Sequence, residues 1–448
     1  MREGSLEAPV RHPLDWQNPD FYDNDALDDE LRRVFDICHT CRRCFNLCDS
    51  FPTLFDLIDE SPTMELDSVD SAGFKSVVDG CTLCDMCFMT KCPYVPPHEF
   101  NVDFPHLMLR ARAQEHTEGK GKFFPGQLAK TDRNGKLMGT FAGLVNWGSR
   151  LGNSLTRPLV EWVAGIDRNA YLPKFHRKTF KDLFKANPAP VVAEAPAAGR
   201  KVVLYATCFS NYNNPHIGTA MQGILARNGV EVEVVYPGCC GMPQLEQGDI
   251  AQVAAKAREI SAELKPWIEK GYDVVALVPS CTLMFKFEWP LIVTDDPNVK
   301  LLSESSYDAA EYIVDIARNE GLAEGLQPLD GGVAMHLACH ARAQNMGPKA
   351  VEMLNLLPGA DVTAIERCSG HGGSWGVLKG NFETALKVGK PAARAAMIEG
   401  TKFVASECPL AAEHLVQGIE RLGKEGDKMP DRAWHPIELM AKSYGIEV

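Results

Sequence analysis

Apolar side chains in the front part of the chain recur every three or four residues, which predicts helices. Leu27, Leu31, Val34, Phe35 and Cys38 form one such stripe, and Asp25 and Asp28 suit its start as cap and first-turn acid. Phe74, Val77, Val78 and Cys81 repeat the approach, and Pro52 opens a short helix through Leu54 to Ile58. Further on, Leu137, Phe141, Leu144, Gly148, Leu151 and Leu155 lie along a single stripe, and Pro158 starts another helix carrying Leu159, Trp162 and Val163. An alternation of Pro and Ala from Asn187 to Ala198 reads as a semi-rigid spacer.

Past position 200 the pattern changes to short unbroken apolar runs, such as Val202 to Tyr205, separated by helical stretches such as Ile250 to Trp267. Buried parallel strands have this signature. The region also repeats internally. Lys201 to Cys208 aligns with Val333 to Cys339, Gly238 to Pro243 with Arg367 to Gly372, and Val275 to Cys281 with Phe403 to Cys408. Each copy reads as three rounds of strand and helix, with its cysteines at the carboxyl ends of strands, where ligand sites of open α/β sheets gather.

Cysteine spacing adds the chemistry. Cys38, Cys41, Cys44 and Cys48 are spaced C-x2-C-x2-C-x3-C, and Cys81, Cys84, Cys87 and Cys92 are spaced C-x2-C-x2-C-x4-C, followed by Pro93. Two-cluster bacterial ferredoxins use nearly this spacing, with the fourth thiolate of each run crossing to the other cluster. On that pattern Cys38, Cys41, Cys44 and Cys92 hold one [4Fe–4S] cluster, and Cys81, Cys84, Cys87 and Cys48 hold the other. Such clusters imply single-electron transfer. Two structural zinc sites would also use eight thiolates, although zinc sites pair C-x2-C with a distant second C-x2-C. The start at Met1 has no apolar stretch, so no secretory signal is expected. The fifteen cysteines are then expected to serve metal or redox chemistry in the cytoplasm rather than crosslinks.

Charge and hydropathy narrow the class. The net charge of −13 argues against nucleic-acid binding. It is uneven, about −12 over residues 1–100 and +8 over 101–200. Arg150, Arg157, Arg168, Lys174, Arg177, Lys178, Lys181 and Lys185 flank the apolar stripe of the middle region. That region reads either as an interfacial membrane or partner-docking surface, which would make the chain peripheral on the cytoplasmic membrane face, or as helices packed on the rest of the protein with solvated cations. No apolar run reaches the length of a membrane span. No phosphate loop, dinucleotide-binding turn or Ser-His-Asp order is present, so a flavin or nicotinamide of its own is not expected.

Two ferredoxin-like runs followed by two cysteine-rich repeats, one bearing Cys239-Cys240-Gly241, resemble the heterodisulfide reductase-related iron–sulfur proteins. The resemblance implies an α-helical two-cluster ferredoxin domain followed by two repeated α/β cysteine-rich (CCG) domains. It implies an electron-transfer subunit working between a flavoprotein dehydrogenase or reductase and a quinone or similar acceptor. The alternative it carries is a catalytic subunit that reduces a disulfide at the CCG site. The family's repeat has a cysteine, a Cys-Cys pair and then C-x2-C. In the first copy Cys208, Cys239, Cys240 and Cys281 match, and Met284 stands at the last position. Four thiolates suffice for a third [4Fe–4S] cluster but not for a five-thiolate noncubane centre. In the second copy Cys339, Cys368 and Cys408 match, with Ser369 and Ala411 at the other two positions. This copy either holds a cluster on three thiolates, with one iron left open or with His336, His340 or His371 filling the gap, or keeps the fold without one. The expected divisions are a ferredoxin-like domain at 25–110, a basic connecting region at 111–186, a linker at 187–199, and CCG domains at 200–330 and 331–448.

Overall fold

The structure is a computed structural model that describes residues 8–424 and 429–447. The amino-terminal residues on which the missing secretory signal is argued lie outside the described residues.

The front is helical, as its periodicity predicts. Helix α1 (Asn24–Cys41) buries Leu27, Leu31, Val34 and Phe35. Its cap is Asp23, not Asp25: the Asp23 carboxylate accepts from the Ala26 amide, and Asp25 supplies the acid of the first turn. Helix α2 (Ser50–Asp59) starts two residues before Pro52. Helix α3 (Phe74–Gly80) ends directly before Cys81, and α4 (Phe104–Thr117) packs against α1, α3 and the turn at Cys87–Lys91. Phe35, Phe51, Phe55, Phe74 and Phe104 meet between these helices, with Phe51 and Phe104 ring centroids 4.7 Å apart. Burying each such ring contributes about 1.5–3 kcal/mol.

The middle stripe is not one helix. Helix α5 (Phe123–Leu128) precedes it, the stripe itself divides between α6 (Thr131–Thr140) and α7 (Ala142–Ser149), and the separate helix expected at Pro158 is α8 (Arg157–Ala164). Gly135 lets α6 lie against Tyr212, since a Cβ there would stand 2.3 Å from the ring. The stretch 187–198 is no free spacer: the Val192 and Ala197 amides donate to the Ala226 and Asn228 carbonyls, and Ala197 is buried.

The back half forms two four-stranded parallel sheets. The first comprises β1 (Lys201–Tyr205), β2 (Glu231–Val235), β3 (Asp273–Ala276) and β4 (Ser306–Asp308), in the order β2-β1-β3-β4. The second comprises β5 (Gly332–His336), β6 (Val362–Ile365), β7 (Thr401–Ser406) and β8 (Ala433–Trp434), in the order β6-β5-β7-β8. The short fourth strand of each sheet adds to the three expected. Strand alternation divides the interior. Val203, Tyr205, Val274 and Ala276 join the core that continues into the front helices. Val202, Leu204, Val275, Val333, Met335 and Phe403 share a second core between the two sheets. The front domain and both sheets are thus packed on one another, and this packing brings their cysteine loops together.

Candidate iron–sulfur site

Cys38 and Cys41 stand on the last turn of α1, and Arg42 leaves the helix in a left-handed conformation (φ 50°) that turns the chain back toward Cys44. Cys38, Cys41, Cys44 and Cys92 then line one cavity, walled by Phe51, Phe55, Pro93 and Tyr94. Burial raises the Cys38 thiol, and Cys92, Cys44 and Cys41 add their repulsion. Burial likewise takes Cys44 to about 12, with Cys92 and Cys41 contributing. Cys92 rises to about 11 through burial, against the Tyr94 amide that favours its thiolate.

In the second run Leu83 (φ 47°) and Asp85 (φ 61°) are both left-handed, which coils Cys81, Cys84 and Cys87 around one point. A π-helical turn, Cys87–Lys91, carries the chain on to Cys92. Cys48 crosses to this group: its thiol is raised by burial and then by Cys84 and Cys81. Cys87 responds to Cys84, Cys81, Cys44 and Cys48, so it faces both sets. Ionised together, these buried groups would repel one another in an apolar pocket, so their thiolates need a cation to neutralise them. That chemistry fits an iron–sulfur cluster in each group. Among the described residues no set of three or more His, Cys, Asp or Glu side chains is arranged to hold a metal ion. The fit therefore rests on the grouping and burial of the thiols.

The first sheet gathers a third set at its carboxyl edge. Cys208 opens the helix after β1, Cys239 and Cys240 follow β2, and Cys281 sits in the turn of helix after β3. Their side chains contact in the series Cys208, Cys239, Cys240, Cys281. Cys239 is the thiol pushed down, because Cys208 and Cys240 both donate to it. Met284 is fully buried beside this set.

Cys339, Cys368 and Cys408 follow β5, β6 and β7 of the second sheet. Burial raises the Cys339 thiol, and the next contribution comes from Cys84 of the front domain, ahead of Cys368 and Cys408. Cys84 is in turn raised by burial to about 12, with Cys368 as its largest charged neighbour. The second copy thus faces the second front group, a proximity that no local pattern in the sequence signals. Histidine as a fourth ligand is not supported for two of the three candidates. His336 Nδ1 lies 2.9 Å from Ser406 Oγ, and its Nε2 donates to the Arg367 carbonyl at 3.0 Å. His340 Nδ1 lies 2.8 Å from Ser280 Oγ, and its Nε2 donates to the Leu83 carbonyl at 3.3 Å. Both rings hold protein partners at both nitrogens, which leaves none for iron. His371 packs edge-on against His414 at 5.8 Å, and burial followed by His414 lowers it to about 3.

A buried ion network outside the cysteines has no signal in the sequence pattern. Arg11 binds Asp85 and Asp103 at 2.8 Å each and Glu288 at 3.1 Å, and His106 Nε2 meets Glu288 at 3.1 Å. It ties residues ahead of the expected domain start to the front domain and to the first sheet's surroundings.

The class this defines is a Fer4-like domain followed by two cysteine-rich α/β domains. Residues 31–118 match the Fer4-like domain of citrate utilization protein B, and residues 202–286 and 333–411 each match the cysteine-rich domain. A component of the anaerobic glycerol-3-phosphate dehydrogenase of Escherichia coli (strain K12) is 25% identical over 346 residues, 77% of this chain and 82% of that protein. Lactate utilization protein A of Bacillus pumilus is 30% identical over 188 residues, 40% of this chain and 75% of that protein. A component of the fumarate reductase (CoM/CoB) of Methanothermobacter marburgensis is 26% identical over 290 residues, 63% of this chain and 55% of that protein. The chain belongs to the family of iron–sulfur proteins built on the cysteine-rich CCG domain.

Proposed function

We propose that this chain is the iron–sulfur electron-transfer subunit of an oxidoreductase, relaying electrons between a flavoprotein dehydrogenase and a quinone or similar acceptor. The observation that carries the reading is the grouping of eight front thiols into two buried sets, one lining a single cavity. In this reading Cys38, Cys41, Cys44 and Cys92 hold one [4Fe–4S] cluster and Cys81, Cys84, Cys87 and Cys48 the second. Cys208, Cys239, Cys240 and Cys281 hold a third. When bound, such clusters take up and release single electrons. The protein's part is to exclude water with the phenylalanine wall, to supply thiolates, and to aim backbone amides at them, as Tyr94 does at Cys92 and Met86 at Cys84. Cys339, Cys368 and Cys408 lack a fourth thiolate, and the reading assigns them no separate cluster of ordinary ligation. The domain divisions at 25–110, 111–186, 187–199, 200–330 and 331–448 belong to the same reading.

Contact with an anionic membrane surface is part of the proposal. Among the described residues no helix is long and apolar enough to cross a membrane. Yet α6 to α8 expose Leu137, Phe141, Leu144, Trp147, Leu155 and Trp162, the last at 82% of its full area. The same region of the chain exposes cations at Arg150, Lys174, Arg177, Lys178 and Lys185. Arg157 is not among these, since it is buried and donates to the Arg168, Asp167 and Ala170 carbonyls. Aromatic and aliphatic side chains beside cations suit the headgroup layer of a bilayer.

Anaerobic co-purification tests the relay. The reading expects a flavoprotein to accompany the chain and to reduce it, and expects no turnover by the chain alone. Turnover of a disulfide by the isolated chain with a reduced electron donor would replace this reading with a catalytic one.

A further inference from the structure

A helix from outside the first cysteine-rich domain starts at that domain's thiols. α6 belongs to the connecting region, and its first residue is Thr131. The Thr131 hydroxyl oxygen is buried and has no hydrogen-bond partner of good geometry among the described residues. It lies against Cys208 and Cys239 all the same. It opposes the rise of Cys208, which comes first from the bond to Cys239 and then from burial. It adds to the fall of Cys239, which comes first from Cys208 and Cys240. A buried hydroxyl that gives its proton to no acceptor destabilises the fold. Neutral thiols are weak acceptors, and ionised groups are strong ones. The orphaned donor is therefore accounted for once the four cysteines ionise to hold iron.

The turn is fixed in place by its neighbours. The Asp132 carboxylate accepts from the Tyr236 hydroxyl and, at 3.1 Å, from the Cys239 amide. Lys256 Nζ lies 3.4 Å from the same carboxylate and donates to the Cys239 carbonyl at 3.3 Å. Just ahead of the helix, Gln244 Nε2 donates to the Ala129 carbonyl at 2.6 Å. One turn on, Gly135 has no side chain to hold α6 off Tyr212, the last residue of the helix that Cys208 opens. The positive end of the α6 dipole therefore stands over the same thiols as the orphaned hydroxyl. Donor and dipole act in one direction. Each favours the more negative, reduced form of a cluster held there, and so raises its reduction potential.

We infer that Thr131 sets the potential of the third cluster, its hydroxyl donating to the Cys239 thiolate from the first turn of α6 and stabilising the reduced state. The position lies outside every cysteine run and outside the stretch 202–286 that matches the cysteine-rich domain, so no motif marks it. The inference rests on the assignment of a third cluster to Cys208, Cys239, Cys240 and Cys281, and adds to it a residue from another part of the chain.

Redox titration of the anaerobically purified full chain, followed by paramagnetic resonance, tests it. The couple to read is the one missing from Cys208→Ala. Thr131→Val keeps the shape of the side chain and removes the donor. It is expected to make reduction of that couple about threefold to tenfold less favourable, a downward shift of about 28–59 mV for one electron, and to leave the other couples in place. Thr131→Ser restores the donor and is expected to keep the unaltered potential. A couple that stays put in Thr131→Val, or moves equally in Thr131→Val and Thr131→Ser, overturns the inference. Iron is counted on every sample. Loss of about four irons in Thr131→Val but not in Thr131→Ser also supports it, because the hydroxyl is then needed to hold the cluster. The same loss in both variants overturns it. An unaltered chain with about eight irons, and no couple lost in Cys208→Ala, removes the third cluster itself. About twelve irons with no shift in Thr131→Val removes the role of Thr131 alone.

Discussion

Arg11 shows how much one side chain outside the cysteines contributes. It meets three carboxylates, stacks 4.4 Å from the Phe88 ring, and belongs to a segment whose Val10 and Leu14 amides donate to the Pro96 and Leu291 carbonyls. Removing its charge leaves buried carboxylates without their cation, a loss of about 3–5 kcal/mol. Arg11→Met is therefore expected to speed amide hydrogen exchange across residues 8–22 and to expose that segment to proteases. The same network gives a pH dependence with a definite sign. Burial and Arg11 push His106 down, but Asp103 and Glu288 outweigh them and its value is raised. Burial opposes ionisation of Asp103 and Glu288, but His106 and Arg11 bring both below the usual carboxylate range. The His106 contribution is complete below its unfolded value of about 6.5 and is lost as pH rises through the raised folded value. The carboxylate contributions are present above about 4 and are lost as pH falls through the lowered folded values. Protection of residues 8–22, corrected for intrinsic exchange, is thus expected to be greatest between about pH 4.5 and 6.5. In His106→Gln the decline on the alkaline side should disappear, and a decline equal to that of the unaltered chain would contradict the network's role.

At the scale of elements, local period was enough to find α1, the approach to Cys81 and the helix at Ile250–Ile268, because each buries a stripe of its own residues. It was not enough for β4 and β8, which are three and two residues long and exist only as partners of β3 and β7. Nor did it show that 187–198 is pinned along Ala226 to Asn228, since those hydrogen bonds join positions about thirty residues apart. The middle helices are the instructive case. Their apolar stripe was legible, yet an amphipathic stripe does not say whether protein or lipid covers it, and the structure leaves Trp147 and Trp162 exposed. Flotation with anionic liposomes at low salt is expected to carry the full chain upward. Trp147→Ser with Trp162→Ser should leave most of it at the bottom, and flotation of the double variant at the unaltered level would contradict membrane contact. The loop after β6 tests the second sheet. Gly370 has φ 81°, and a Cβ there would stand 2.0 Å from the Ala385 carbonyl oxygen. Gly370→Val is expected to displace Cys368 and to lower the yield of folded protein, measured by circular dichroism and thermal unfolding.

Across the whole molecule the cysteine-bearing parts face one another. The spacing of the two front runs made eight of the fifteen cysteines legible as two groups, and the internal repeat placed the rest at strand ends. What no spacing conveys is that Cys339 and Cys368 come close enough to Cys84 for their charges to interact, because that proximity depends on how the second sheet docks on the front domain. The histidines beside the second copy's cysteines looked available in the sequence for the same reason, and tertiary partners claim both nitrogens of His336 and His340. The functional meaning of these features depends on the front thiols being cluster ligands. The direct measurement is iron and acid-labile sulfide per chain in anaerobic preparations, with paramagnetic resonance after dithionite reduction. The account predicts about twelve of each, a signal from reduced cubanes, and about four fewer irons in Cys208→Ala with no such loss in Cys339→Ala. A preparation that contains only zinc, or shows no resonance after reduction, would contradict it.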